Sequence, residues 1–199
     1  MFQIRAHGRG GQGVVTAAEL LSVAAFNEGR HAQAFPSFGS ERTGAPVVAF
    51  CRIDDRPIRL REPIVDPDAL IVQDATLLRQ LDVFAGLRPD GYVLLNSERS
   101  WDELGLADVA ARRRPGRALI VPATRLALTH VGRPVPNAAL LGGFAAMTGL
   151  VSLHAVEAAI RDRFTSGRFS SGRVADANVA AATEAFTLIA AELKESSRA

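Results

Sequence analysis

The chain has 199 residues, close to half of them hydrophobic and 22% charged, with a formal net charge of +2; this fits one globular domain with a full-sized core. Its single cysteine, Cys51, excludes an intrachain disulfide and leaves no C-x-x-C pair for zinc or an iron–sulfur cluster. No apolar run approaches the roughly 18 residues of a membrane-spanning helix, and MFQIRAHG lacks the plan of a signal peptide, so a cytoplasmic location is the expectation.

Residues 2–7, FQIRAH, alternate apolar and polar, which predicts a strand with one face wet or covered by a partner. VVTAAELLSVAAFNEG, residues 14–29, has helical spacing at Val15, Ala18, Leu21 and Ala25, with Gly29 placed to end it. HAQAF reads as a short second strand and PSFGSERTGAP as a polar loop. VVAFCRI and PIRL flank the turn residues DDR and predict a hairpin, with Cys51 as a buried strand residue. ALIVQD and YVLLN are short apolar runs typical of buried parallel strands, with a helix expected between them over ATLLRQLDVFAGL, residues 75–87. A helix at WDELGLADVAARRR and a strand at ALIVPA continue the pattern. The arginine cluster at 112–117 interrupts that junction without interleaved aromatics, so it reads as a solvated loop or protein interface rather than a nucleic-acid site.

The remainder carries helical periodicity over NAALLGGFAAMTGL, SLHAVEAAIRDRF and VADANVAAATEAFTLIAAELKE, with TSGRFSSGR as a flexible connection. The expected architecture is a single α/β domain. It has a mostly parallel sheet with helices on both faces and an inserted β-hairpin over residues 1–122, and a mainly helical section over 123–199.

The densest signal is HGRGGQGVVTAAELL, residues 7–21, where four glycines occupy six positions. Gly8, Gly10 and Gly13 satisfy G-x-G-x-x-G between a strand and a helix, and the free N–H groups of a helix start favour an anion. Two further parts of a nucleotide site are missing. The second strand ends in AFPSF without the acidic residue that holds ribose hydroxyls, and the only lysine is Lys194, far from any phosphate loop. A tight turn with close helix–sheet packing accounts for the glycines equally well. Gln12 fits that account less easily, since a carboxamide at a loop tip offers a donor and an acceptor to a ligand or a facing chain.

The loop FPSFGSERTGAP is the second candidate region. Ser40 and Thr43 offer hydroxyls, Glu41 and Arg42 place both charge signs at a strand end, and a planar guanidinium at Arg42 suits an anion or a partner carboxylate. Arg9 could steer phosphates in the same way. His7, at the end of the first strand, reads as a residue that hydrogen-bonds a neighbouring loop rather than an acid or base, and Phe35 and Phe38 as core or interface packing residues. Asn137 follows Pro136 as a helix N-cap, and Ala138, Ala139, Gly142 and Gly143 suit close packing against another backbone.

Taken together, HGRGGQGVVTAAELL, QAFPSFGSERTGAPVVAFCRI, PIRL, PDALIVQDATLL and VPNAALLGGF resemble, in order, the gamma subunit of the 2-oxoacid:ferredoxin (acceptor) oxidoreductases, the family of pyruvate ferredoxin oxidoreductase. The resemblance implies an accessory subunit of a complex that oxidatively decarboxylates a 2-oxoacid with coenzyme A to an acyl-CoA and carbon dioxide. It implies thiamine diphosphate, Mg2+ and 4Fe–4S clusters in other subunits. The implied partners are alpha, beta and delta-type subunits, with ferredoxin as acceptor, or NAD through a further subunit carrying FAD. Arg9, Gly10, Gly11, Gln12, Gly13, Ser40, Glu41 and Arg42 would form the coenzyme A side of the site or an inter-subunit surface, with no catalytic or metal-ligating residue in this chain. Pyruvate, 2-oxoglutarate and aryl oxoacids such as phenylglyoxylate all remain candidate substrates, and the isolated chain is expected to be inactive. The alternative is a free-standing dinucleotide-binding oxidoreductase.

Overall fold

A computed structural model describes residues 1–37, 43–165 and 172–196. The expected flexible connection TSGRFSSGR lies mostly outside them. The strands are β1 (Phe2–Arg9), β2 (His31–Pro36), β3 (Pro46–Asp54), β4 (Ala69–Val72), β5 (Tyr92–Asn96) and β6 (Ala118–Val121), and they form one sheet in the order β2-β3-β1-β4-β5-β6. The helices are α1 (Val14–Asn27), α2 (Ala107–Ala111), α3 (Ala123–Val131), α4 (Asn137–Thr148), α5 (Leu153–Thr165) and α6 (Gly172–Ser196).

β1, β4, β5 and β6 run parallel, whereas β3 is antiparallel to both β1 and β2. The chain therefore leaves β1 toward one edge of the sheet and later resumes on the other side of it at β4. That reversal opens a crevice at the carboxyl ends of β1 and β4, where ligands of open α/β sheets bind.

Strand alternation divides the sheet into two faces. Ile4, Ala6, Ala49, Cys51, Ala69, Ile71, Leu94 and Leu119 point into one large core with α1, α3, α4, α5 and α6. Val72, Leu95 and Ile120 point the other way, into a smaller core with Leu77 and Val83. Helical structure is thus unevenly shared: the long helices load one face, and the other is covered by a 3-10 turn at Ala75–Arg79 and by extended connections.

The predicted hairpin partner is corrected by this arrangement. The antiparallel partners of β3 are β1 and β2, and residues 57–60 belong to no strand. Both neighbours of β3 are taken, and the following segment instead supplies hydrogen-bond acceptors to buried arginines on the second face. Arg52 Nη2 donates to the Glu62 carbonyl at 2.7 Å, and Arg5 Nη1 to the Val65 carbonyl at 3.3 Å. Arg5 also reaches the carbonyls of Val83 and Ala85 through Nη2. The long helix expected at 75–87 is for the same reason reduced to the 3-10 turn, since those carbonyls face a guanidinium rather than the next helical turn. The helix expected at 101–114 shrinks to α2, because Gly105 takes φ +71° and breaks the register before it. The arginine cluster is tied down locally: Arg113 donates to the carbonyls of Arg88 and Pro89, and Arg117 lies 4.0 Å from the Tyr92 ring centre.

α4 is buried along nearly its whole length between the sheet and α6. The neighbour anticipated for its small residues is in the same chain. A Cβ placed on Gly142 would stand 1.9 Å from the Ala182 carbonyl oxygen of α6. α6, at 25 residues, has the length and mean hydropathy to cross a membrane by composition alone. Its apolar stripe, including Val179, Ala182 and Ile189, is covered by the core, while Asp176 and Glu184 on its outer side pair with Arg161 and His130. Its apolarity is that of a core helix.

Gly142→Val should separate α4 from α6 and destabilise the fold by about 3 kcal/mol or more, read as a lowered midpoint in thermal or urea unfolding. The same change at Gly132, whose Cβ would meet nothing within 4 Å but whose φ is +76°, should cost only its backbone strain, about 1 to 2 kcal/mol.

Candidate functional site

The carboxyl end of β1 turns into α1 through Gly10–Gly13, with φ of +93° at Gly11 and +74° at Gly13. Only glycine adopts these values without strain. Gly10 is pinned on its other side to the loop before β3: its N–H donates to the Ala45 carbonyl at 2.9 Å and its carbonyl accepts from the Gly44 N–H at 3.1 Å. No side chain caps α1, so its first N–H groups face a cleft of about 310 Å3 between Arg9, the glycines, Val15, Thr16 and Val47.

Gln12 is held inward. Its Oε1 accepts from the Arg9 N–H at 2.8 Å and its Nε2 donates to Asp74 Oδ2 at 2.9 Å. Asp74, just beyond β4, also accepts from Arg9 Nε at 3.1 Å, while its Oδ1 accepts from the Thr76 N–H at 2.9 Å and the Thr76 hydroxyl at 2.6 Å. Burial alone would raise the Asp74 carboxyl pKa, but the bonds from Thr76 and Gln12 and the Arg9 charge outweigh it and hold it below the usual range. The Arg9 guanidinium is engaged throughout: Nη1 donates to the Gly44 carbonyl at 3.0 Å, and Nη2 to Thr76 Oγ1 at 2.7 Å and Gln80 Oε1 at 3.1 Å. The ligand-facing roles anticipated for Gln12 and Arg9 thus compete with a latch that closes β1 onto β4 across the crevice.

Two further groups complete this corner. Asn137 is the first residue of α4 rather than its cap: Pro136 occupies the cap position, and Asn137 Oδ1 accepts from the N–H of Ala138 at 2.8 Å. Its carboxamide is buried against Gly13, where a Cβ would come within 2.8 Å of Nδ2. The glycine loop and the PNAALLGGF segment therefore meet in space. Asn96, ending β5, donates through Nδ2 to the Gln73 carbonyl at 2.8 Å and to Thr124 Oγ1 at 2.7 Å, and accepts from the Thr124 N–H at 3.0 Å. Gln73, Asp74 and Asn96 were not singled out by sequence reasoning, although each is a polar residue directly after an apolar strand run, the one signal available. Ser40, Glu41 and Arg42 lie outside the described residues.

His7 is 6% exposed and bonds to no loop; its Nε2 accepts from Arg5 Nε at 3.0 Å. Burial, aided by the Arg5 charge, pushes its pKa down to about 4. A neutral imidazole locked to a strand neighbour is a structural acceptor here. Cys51 is fully buried, with its thiol pKa pushed up by burial to about 12. Among the described residues no three His, Cys, Asp or Glu side chains come together as a metal site. With one inert thiol, the donor set does not fit a 4Fe–4S cluster.

The family described as pyruvate ferredoxin/flavodoxin oxidoreductase matches residues 3–188. This chain belongs to that family. It is 51% identical over 165 residues to the gamma subunit common to the pyruvate and ketoisovalerate oxidoreductases of Pyrococcus abyssi, covering 83% of this chain and 88% of that one. The pyruvate oxidoreductase subunit PORC of Thermotoga maritima superposes with a TM-score of 0.76 at 35% identity, over 94% of this chain and 95% of that one. A 2-oxoglutarate:ferredoxin oxidoreductase from Magnetococcus marinus, solved with 2-oxoglutarate, coenzyme A and succinyl-CoA, contains the same fold over 31% of its chain, matching 98% of this one with a TM-score of 0.71 at 17% identity. The chain is a subunit of an oxoacid oxidoreductase, and the mostly parallel α/β architecture is that of the family's gamma-type subunits.

Asp74→Ala removes the acceptor shared by Gln12, Arg9 and Thr76. It should cost roughly 2 kcal/mol of stability and speed amide exchange at Gly10–Gly13 while leaving α6 protected. For His7, the unfolded chain takes up a proton below its ordinary pKa of 6.5 that the folded chain refuses until about 4. Its contribution to stability is therefore complete above pH 6.5 and falls as pH drops through that window, by on the order of 3 kcal/mol at pH 4. Urea midpoints measured at pH 7 and pH 5 should show a smaller loss in His7→Gln than in the parent chain.

Proposed function

We propose that this chain is the gamma subunit of a thiamine diphosphate- and iron–sulfur-dependent complex that oxidatively decarboxylates a 2-oxoacid with coenzyme A. Electrons pass to ferredoxin or another acceptor through companion subunits. The carrying observation is the latch at the carboxyl ends of β1 and β4. Gln12 and Arg9, the polar residues of the glycine loop, are turned inward onto Asp74, which leaves a rigid, backbone-lined surface facing the cleft. Such a surface suits a companion subunit or the coenzyme A path that this subunit closes, and the residues from Arg9 to Gly13 form that face. Pyruvate and ketoisovalerate are the substrates in the names of the Pyrococcus abyssi relative, and a short or branched aliphatic 2-oxoacid is the reading this supports for the complex.

Thiamine diphosphate, Mg2+ and the clusters belong to the companion subunits in this reading. This chain's part is to dock and to shape one wall of the site. The reading of a self-sufficient dinucleotide enzyme draws no support from β2, which ends at Pro36 without an acidic residue.

Co-expression with the companion subunits should give a complex that forms acyl-CoA from a panel of oxoacids, whereas the purified chain alone turns over none. In the complex, Gln12→Ala should raise the coenzyme A requirement or loosen assembly and leave thiamine diphosphate content unchanged. Loss of thiamine diphosphate from an otherwise intact complex would overturn the assignment.

A further inference from the structure

The sheet face away from the long helices holds two guanidinium groups that no carboxylate balances directly. Arg52 of β3 is 1% exposed, and Arg5 of β1 is buried on the same face, diagonally across the ladder from it. Their acceptors are all neutral. Arg52 Nε donates to Gln3 Oε1 at 3.1 Å and Nη2 to the Glu62 carbonyl, while Nη1 is buried with no partner. Arg5 holds His7 Nε2 and the carbonyls of Ile64, Val65, Val83 and Ala85. Burial lowers the pKa of both groups, offset in part by Asp82 and Asp66 for Arg5 and by Glu62 for Arg52. None of these three carboxylates bonds to either arginine. A buried charge without a paired counter-ion is costly, and its field reaches through whatever covers it.

The cover over Arg52 and Arg5 is a single extended strap, residues 56–65, RPIRLREPIV. It is pinned where the two arginines take its carbonyls, where Ile64 is buried, and where it meets the next connection: a Cβ on Gly86 would stand 2.1 Å from the Val65 carbonyl oxygen. The strap adds positive charge of its own. It carries three arginines and one carboxylate, and the exposed side chains of Arg56, Arg59 and Arg61 bond to no described residue. The acids that precede it are already committed, Asp54 to the N-terminal ammonium and Asp55 to Arg30, each at 3.0 Å. Among the arginines, Leu60 is 44% exposed and Val65 70% exposed. Free arginines around exposed aliphatic side chains, on backbone that is already fixed, have the composition of a protein interface and need little ordering on binding. The strap has no aromatic residue on which a base could stack, and an extended segment held by its carbonyls cannot lie in a lipid surface as an amphipathic helix does.

We propose that the strap is a docking surface for an acidic face of a companion subunit, with partner carboxylates on Arg56, Arg59 and Arg61 and partner aliphatic side chains on Leu60 and Val65. The proposal rests on the gamma-subunit reading, which supplies the companion. The strap leaves β3 beside the amino end of β1, where Ile53 pairs with Phe2, whereas the glycine loop lies at the carboxyl end. Docking here leaves the cleft at the glycine loop open.

The test co-expresses the full chain with its companion subunits and measures its dissociation constant from the complex at several salt concentrations. Parent association should weaken as salt rises from about 0.05 to 0.5 M. Arg56→Glu/Arg59→Glu/Arg61→Glu should raise the dissociation constant about tenfold or more at 0.15 M, with the parent's unfolding midpoint, since these side chains are exposed and unbonded. The single changes Arg56→Gln, Arg59→Gln and Arg61→Gln should each weaken association about twofold or more, which decides the matter should the reversed chain fold poorly. Leu60→Ser should weaken association at high salt as well as low. The reversed chain that does assemble should keep the parent's coenzyme A requirement. Association of the reversed and single variants as tight as the parent's, indifference of the parent to salt, or a changed coenzyme A requirement would overturn the proposal. So would capture of the parent chain by random duplex DNA or phosphatidylglycerol vesicles that the reversed variant loses while still joining the subunits normally, since the arginines would then serve a nucleic acid or a membrane. A parent chain that joins no companion subunit would overturn the gamma-subunit reading and this proposal together, whereas a parent and a reversed variant that join equally well would overturn the strap alone.

Discussion

One carboxylate organises the functional end of this molecule. Parallel strands β1 and β4 are joined by a ladder of four residue pairs, and beyond its last rung each chain must diverge, β1 into α1 and β4 into a 3-10 turn. The divergence leaves polar backbone at a crevice with no ladder to satisfy it. Asp74 answers from the β4 side, accepting from the loop of β1 through Gln12 and Arg9 and from its own turn through Thr76. Arg9 carries the tie onward to the Gly44 carbonyl, so the loop before β3 is held by the same group. Three chain reversals share one anchor.

That arrangement gives the G-x-G-x-x-G turn a structural role of its own. In nucleotide folds the glycines let phosphate approach bare N–H groups, and a distant acid holds the ribose. Here the glycines admit protein instead: Gly13 makes room for the Asn137 carboxamide, and Gly8 for Val14 and Gln73. The loop gains rigidity and a defined outward surface.

Much of the sheet was legible from the sequence because buried strands announce themselves as short apolar runs between polar residues, as in ALIVQD and YVLLN. The three long C-terminal helices were legible from their period. What escaped were the segments whose conformation is set by a side chain far away in sequence. Residues 75–87 have helical spacing, yet Arg5 claims the carbonyls of Val83 and Ala85. PIRL alternates like a strand, yet it has no free neighbour to pair with. At the site, the glycine loop was found by its composition, whereas Asp74, Gln73 and Asn96 were single polar letters at strand ends, and only the parallel register brings them to the loop.

Arg5 shows how far a single charged side chain can reach into an architecture. From the middle strand it distributes donors to His7 and to carbonyls in two separate connections, 59 to 80 residues away along the chain. A lysine would preserve the charge but, as one compact ammonium, could not serve both connections and the imidazole at once. Position 5 is therefore closed to the exchange that basic residues usually tolerate, and a shift of this sequence toward lysine-rich composition would have to stop there.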